Sequence, residues 1–238
     1  MLLHRSRYYV PPKSFLNLPL EIRRLIYREL LVLPSPVVLG HFPASLAIRC
    51  YIYLGGPWAD IKPCGAIIRV CKQVHEEALD VFFSENVFEA RFGYELDIGN
   101  IFANIASQHQ QCIRRLQIVV QPAGRWYLDP IDLQASTWAS GLGYLSLLRI
   151  IAVQPPPKVE GETPKAVHDW LDRLRSLLAF LQQYCGPNTM YEVDDNGAKE
   201  TSALVRATLP GCRKITCVYG DRFFLREDWQ RQGSWRLS

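Results

Sequence analysis

The fold is decided by two stretches of the chain, Phe15–Val32 (FLNLPLEIRRLIYRELLV) and Ala66–Phe88 (AIIRVCKQVHEEALDVFFSENVF). In each stretch apolar residues recur at three- and four-residue spacing, which predicts an amphipathic helix with one buried face. Pro19 suits the first turn of a helix and Pro34 ends the first run. The expected buried stripe of the first helix is Leu18, Ile22, Leu25, Ile26 and Leu30, with Glu21, Arg23, Arg24 and Arg28 in solvent. The expected stripe of the second helix is Ile67, Val70, Cys71, Val74, Ala78, Val81 and Phe82, with Lys72, Gln73, Glu76, Glu77 and Asp80 in solvent.

These residues resemble a known family. The string Phe15–Leu31 resembles the leader helix of F-box domains. Together with Arg69–Ala78 (RVCKQVHEEA) and Phe82–Asn86 (FFSEN), it resembles a large family of uncharacterised F-box-like proteins of filamentous fungi, and the resemblance ends near Ala90. It implies a substrate-recruiting subunit of a cullin-type ubiquitin ligase. The residues that match the F-box leader, and that would dock to the ligase adaptor, are Leu18, Pro19, Ile22, Ile26 and Leu30.

The composition is that of an ordinary globular protein, with 48% hydrophobic and 21% charged residues among 238. The net charge is only +4, and arginines spread along the chain outnumber lysines, so no concentrated phosphate-binding patch is expected. The seven cysteines show no pairing pattern and predict reduced, mostly buried thiols. Neither a signal peptide nor a membrane span is expected, which predicts a cytoplasmic or nuclear protein.

Three regions are expected along the chain. Residues 1–14 form a flexible lead-in, residues 15–92 an F-box-like helical unit, and residues 93–238 an α/β region. A Pro/Gly-rich insertion at 34–65 interrupts the helical unit, and its best strand candidate is Ile48–Leu54. Whether the α/β region is continuous with the helical unit stays open.

Helices and strands alternate after the helical unit, an order that favours a parallel sheet with right-handed crossovers. The fold class is therefore mixed α/β. Two arrangements stay open, a generic α/β layer and an irregular leucine-rich-repeat-like sheet. Strands are expected at Asn86–Phe92, Ile113–Val120, Leu147–Val153, Thr189–Val193 and Lys214–Tyr219, and helices at Ile98–Gln111, from Thr163 to Tyr184, and up to Thr208.

No motif that carries chemistry is complete. His75 and Glu76 begin a zinc-helix pattern, but its second histidine would stand where Leu79 does. Cys212 and Cys217 are too far apart for a redox pair, and Gly141-Leu-Gly143 precedes a strand where a dinucleotide loop would follow one. We therefore expect a protein that is not an enzyme, with no catalytic residue, no cofactor and no metal.

The expected function is a non-enzymatic protein–protein interaction module whose partners are proteins, with a cullin-ligase adaptor among them. The alternative is a single α/β domain that binds a small ligand or catalyses an unidentified reaction, in which the F-box-like leader is purely structural. Burial of Leu18, Ile22 and Ile26 separates the two, because a side chain covered by the fold cannot reach an adaptor. Aromatic residues expected in loops or the tail either form an interface or close the ends of the core; they are Trp58, Trp126, Tyr127, Trp138, Trp229 and Trp235.

Overall fold

A computed structural model of the chain describes residues 14–38, 66–92, 105, 107–121, 141–155 and 165–224. Several sequence-based expectations lie outside the described residues: the lead-in up to Lys13, most of the insertion with its strand Ile48–Leu54, and most of the helix Ile98–Gln111. The six aromatic residues expected in loops or the tail lie outside them as well.

Helices and strands alternate along the described chain. The helices are α1 (Leu20–Leu31), α2 (Lys72–Glu85), α3 (Ser107–Gln110), α4 (Lys165–Tyr184), α5 (Lys199–Thr208) and α6 (Asp221–Phe224). The strands are β1 (Val37–Val38), β2 (Val87–Phe92), β3 (Arg115–Val120), β4 (Leu147–Ala152), β5 (Met190–Asp194) and β6 (Arg213–Lys214). Short 3-10 turns occupy Phe15–Asn17, Ile67–Arg69 and Val218–Gly220.

The six strands form one sheet in the order of the sequence, and every neighbouring pair is parallel. When every crossover is right-handed and each strand is added at the same edge of a parallel sheet, all the connecting helices lie on one face of that sheet. Consistent with this, the inward faces of α1, α2, α4 and α5 form one apolar cluster with alternate residues of the strands. Its largest fully buried side chains include Trp170, Tyr27, Phe88, Leu116 and Ile118. The mixed α/β class is thus confirmed.

The sheet runs across the boundary expected between the helical unit and the α/β region. Strand β2 belongs to the first region and pairs over its whole length with β3 of the second, from Val87 opposite Arg115 to Phe92 opposite Val120. Each of α1 and α2 leads into a strand of this sheet, so both follow the same helix-then-strand pattern as α4 and α5. The strands begin at irregular spacing along the chain. The leucine-rich-repeat-like arrangement therefore stays a prediction.

The expected orientation of α1 is wrong. Its buried residues are Arg23, Tyr27 and Leu31, at four-residue spacing, whereas Ile22 and Leu25 face solvent. The physical reason is an ion-paired contact with α2, which turns Arg23 inward and leaves Arg24 and Arg28 at the edge of the contact. The helix still buries one side, but the side is chosen by its ionic partners and not by its most apolar stripe.

Two further expectations need correction. Helix α2 begins at Lys72, because Cys71 adopts an extended N-cap conformation, and Val70 and Cys71 are exposed instead of buried. The last strand ends at Lys214 and not at Tyr219, because the Cys217 amide leaves the sheet to donate to Asp194 Oδ2 at 2.7 Å.

The thiols are also less buried than expected. Of the five cysteines in the described ranges only Cys217 is buried, and none of the five forms a disulfide.

Candidate functional site

An apolar surface lies on the outer side of α1 and of the turn before it. It consists of Leu16, Leu18, Pro19, Ile22 and Leu25, and we call it the leader surface. Its leucines and isoleucine are 37% to 52% exposed, with Leu25 at the upper end. A single exposed leucine is ordinary, but a contiguous apolar patch on a helix is typical of a docking site.

Arg23 holds the leader surface in place. Its Nε and one terminal nitrogen donate to the two Glu77 carboxylate oxygens at 2.8 and 2.6 Å. Its other terminal nitrogen donates to the backbone oxygens of Leu16 at 3.2 Å and Leu18 at 2.5 Å. One guanidinium thus ties the turn that carries Leu16, Leu18 and Pro19 to helix α2.

Further ion pairs continue the contact between α1 and α2. Arg24 pairs with Asp80 at 2.5 Å and Arg28 with Glu85 at 2.7 Å. Residue numbers rise together on both helices, so α1 and α2 run in the same direction. Both pairs are partly exposed and contribute little energy one by one, but together they fix which side of α1 faces α2.

Glu77 accepts from Tyr27 as well as from Arg23. The Tyr27 hydroxyl donates to Glu77 Oε2 at 2.9 Å, and the Gln73 amide donates to Oε1 at 2.9 Å. The hydrogen bond from Arg23 is the main cause that lowers the pKa of Glu77 from 4.5 to about 2. Burial, followed by donation to Glu77, raises the pKa of Tyr27 from 10.0 to about 12. The carboxylate and the neutral phenol are therefore the stable forms over the ordinary pH range.

Asn86 joins the carboxyl ends of the same two helices. Its side-chain nitrogen donates to the backbone oxygens of Leu31 at 3.0 Å and Phe82 at 2.9 Å, and its side-chain oxygen accepts from the Leu33 amide at 2.8 Å. It is fully buried. Unpaired carbonyls at both helix ends are satisfied by this one side chain, so α1 and α2 behave as one rigid frame.

The structure separates the five residues that match the F-box leader. Leu18, Pro19 and Ile22 are exposed and lie together on the leader surface. Ile26 is half-buried, and Leu30 packs against the main core. Leu16 and Leu25, which the F-box match did not include, are exposed on the same surface.

One signal in the sequence points to the true orientation of α1. The basic residues Arg23, Arg24 and Arg28 pair with acidic residues of α2 that follow in the same order along the chain.

The sheet face opposite the helices carries a polar row. The strand register places Glu89, Gln117, Arg149, Glu192 and Arg213 side by side across the middle of β2 to β6. Gln117 donates to Glu89 Oε2 at 2.7 Å, and Arg149 donates twice to Glu192 Oε2, at 3.0 and 2.8 Å. The row is fully buried at Glu89 and Gln117 and becomes exposed at Arg213.

The segment after β6 crosses the carboxyl-terminal part of this face. Residues 215–224, which we call the strap, pack Ile215, Tyr219, Phe223 and Phe224 against the apolar residues Val119 and Ile151 of the sheet. The Tyr219 hydroxyl donates to the backbone oxygen of Pro34, just before β1. The Arg91 guanidinium lies 5.6 Å from the centre of the Phe223 ring. The strap thus links the two edges of the sheet.

A cavity of about 430 Å³ lies where the polar row meets the strap. Its lining residues are Arg149, Glu192, Arg213, Ile215, Thr216, Cys217, Val218 and Tyr219. A volume of this size suits a small ligand or one or two side chains of a larger one.

The residues considered for metal or redox chemistry have structural partners. His75 Nδ1 lies 2.9 Å from the backbone oxygen of Ile68, and Glu76 lies 3.9 Å from the Lys72 ammonium group. Within the described ranges no three His, Cys, Asp or Glu residues are grouped so that they could hold a metal ion. No helix in the same ranges is both long enough and apolar enough to cross a bilayer.

Comparison of the chain with protein-family models, curated proteins and solved structures gives no match in any of the three. The F-box-like resemblance therefore stays a prediction. Functional assignment depends on the geometry of the leader surface and of the cavity.

Proposed function

We propose that this protein is a non-enzymatic interaction protein that docks through its leader surface to the adaptor of a cullin-type ubiquitin ligase and recruits a substrate to it. The observation that carries the proposal is the exposure of Leu18, Ile22 and Leu25 on a helix whose other side is fully engaged. An amphipathic helix that presents such residues fits the common mode in which a helix lies in an apolar groove.

The rigid frame behind the leader surface supports the same proposal. Arg23 and Asn86 together fix the turn before α1, the helix itself and its end. A preorganised surface loses little conformational entropy when it binds.

The test is a binding measurement between the purified full chain and the purified adaptor, with Leu25→Lys as the decisive variant. This lysine would lie four residues from both Glu21 and Glu29 and can form an ion pair with either of them. We therefore expect the substitution not to destabilise α1. Burying the new charge in an adaptor groove is unfavourable, and we expect affinity to fall by at least about tenfold.

The matched control is Val70→Lys, because Val70 is 63% exposed and lies outside the leader surface. It is expected to bind as the parent chain does, and circular dichroism checks that both variants fold. Absence of adaptor binding at roughly 100 µM would overturn the proposal, as would equal binding by folded Leu25→Lys.

The cavity favours a second candidate function, the binding of a ligand by an α/β domain whose leader is only structural. It combines charged groups with apolar walls, as ligand sites do. A chain that binds no adaptor but does bind a ligand at the cavity would match this candidate.

A further inference from the structure

We propose that the cavity between the polar row and the strap is a carboxylate-binding site that takes an acidic peptide segment with an apolar neighbouring side chain. The inference deepens the proposed function, because it names the class of substrate that the protein would recruit, and it relies on that function for its biological meaning.

Arg213 is the group with unused binding capacity. It lines the cavity, is exposed, and has no carboxylate partner among the described residues. Its guanidinium therefore keeps five N–H donors in the geometry that matches a carboxylate.

Arg149 adds directed donors to the same cavity. Its side chain is only 18% exposed and is fixed by two hydrogen bonds to a single oxygen of Glu192. The register puts Glu192 between Arg149 and Arg213 on adjacent strands, so all three side chains leave the same face of the sheet. Glu192 thus fixes the Arg149 guanidinium at the wall of the cavity that Arg213 also lines.

The charge of the cavity selects a monoanion. Two arginines and one glutamate leave a single positive charge among the lining groups. A carboxylate balances that charge, whereas a doubly charged phosphate would leave a net negative charge in the cavity. The Thr216 hydroxyl is exposed at the wall and can donate one more hydrogen bond.

The apolar surroundings point to a peptide instead of a small acid. Val218 in the cavity wall is 73% exposed. Met190, two residues before Glu192 on the same face of β5, is 52% exposed. A carboxylate in the cavity would therefore place a neighbouring apolar side chain against Met190 or Val218, and methionine adapts to varied partners.

The experiment uses the full chain with arginine side chains labelled for NMR, titrated with acetyl-Leu-Glu-amide and with acetyl-Leu-Gln-amide. We expect the Arg213 Nε–H signal to shift in a saturable way with the Glu peptide, and at least about tenfold weaker binding of the Gln peptide. The signal is assigned from its loss in Arg213→Gln. Arg213→Gln should abolish the preference for Glu, and the control Arg206→Gln, on α5 in the helical layer, should keep it.

Three results would overturn the inference. They are equal binding of the two peptides, no saturable shift up to about 20 mM peptide, and an equal loss in Arg206→Gln and Arg213→Gln. Propionate that binds as tightly as acetyl-Leu-Glu-amide would overturn the assignment to a peptide. Because the titration contains no adaptor and leaves α1 unchanged, its failure is distinguishable from failure of adaptor docking.

Discussion

Arg23 of α1 and Glu77 of α2 form a bidentate ion pair, with donor–acceptor distances of 2.8 and 2.6 Å, on the buried side of α1. The same guanidinium also binds the backbone oxygens of Leu16 and Leu18. This pair turns Arg23 inward and leaves Leu18, Ile22 and Leu25 exposed. The leader surface is therefore exposed because α1 packs against α2 through this pair.

Removing one member of this pair leaves the other charged, poorly hydrated and without its main partner. We expect Arg23→Met and Glu77→Met each to lower the melting temperature by roughly 5–10 °C. The double variant should lose less than the sum of the two, because no unpaired charge remains. Thermal unfolding of the three variants measures this, and strictly additive losses would contradict the direct coupling of the two residues.

The same contact predicts how stability depends on pH. The pKa of Glu77 falls from 4.5 to about 2 on folding, so its stabilisation is complete above pH 4.5 and is lost as the pH falls toward about 2. The pKa of Tyr27 rises from 10.0 to about 12, so its stabilisation is complete below pH 10 and is lost as the pH rises through about 12. Urea unfolding at a series of pH values should show both losses.

Two variants test which residue causes the loss of stability at acid pH and which causes the loss at alkaline pH. Glu77→Gln is expected to flatten the change between pH 4.5 and about 2, and to reduce the alkaline change only in part, because burial is the main cause that raises the pKa of Tyr27. Tyr27→Phe is expected to remove the alkaline change and to reduce the acid change only slightly, because Arg23 is the main cause that lowers the pKa of Glu77. An acid limb that is unchanged in Glu77→Gln would show that other carboxylates carry it.

Asn86 should be one of the most sensitive positions of the helical unit. Asn86→Ala removes the partners of the Leu31 and Phe82 carbonyls and of the Leu33 amide, and we expect a loss of about 2–4 kcal/mol in the free energy of unfolding. Denaturant unfolding measures it, with Asn188→Ala at an exposed turn as the control. A loss no larger than in the control would mean that water replaces all three hydrogen bonds.

Gly220 allows the strap to approach β5. A Cβ atom at this position would lie 2.7 Å from Asp194 Oδ2 and 3.2 Å from the Phe224 ring. Gly220→Ala should push away the carboxylate that accepts from the Cys217 amide, and speed hydrogen exchange at that amide by about tenfold. Gly211→Ala, where the added carbon meets nothing within 4 Å, is the control and should leave the exchange rate unchanged.

The sequence predicted the α/β elements well where their periodicity was strong. The strands β2 to β5 and the helix α4 lie close to their expected positions, because a continuous apolar run or a clear helical stripe has few alternative environments. Prediction failed at the orientation of α1, the start of α2 and the end of the last strand. At α1 and at the last strand a specific polar contact outweighed the local pattern, Glu77 for Arg23 and Asp194 for the Cys217 amide. Helix α2 begins later than expected because Cys71 adopts an extended conformation.

The candidate sites depend still more on distant contacts. The leader surface contains residues that the sequence singled out, but their exposure follows from the pairing of α1 with α2, more than 50 residues along the chain. The cavity joins Arg149 of β4 to Arg213 of β6 and to the strap, and no spacing in the sequence links these segments.

By itself the sequence determined the types and order of the elements, because backbone preference and hydrophobic periodicity act over a few residues. Tertiary structure decided which side of α1 is buried, which charged groups are paired and where a cavity forms. The reason is that those outcomes depend on which side chains meet across the fold, and a matched ion pair such as Arg23 with Glu77 can override the more apolar stripe of a helix.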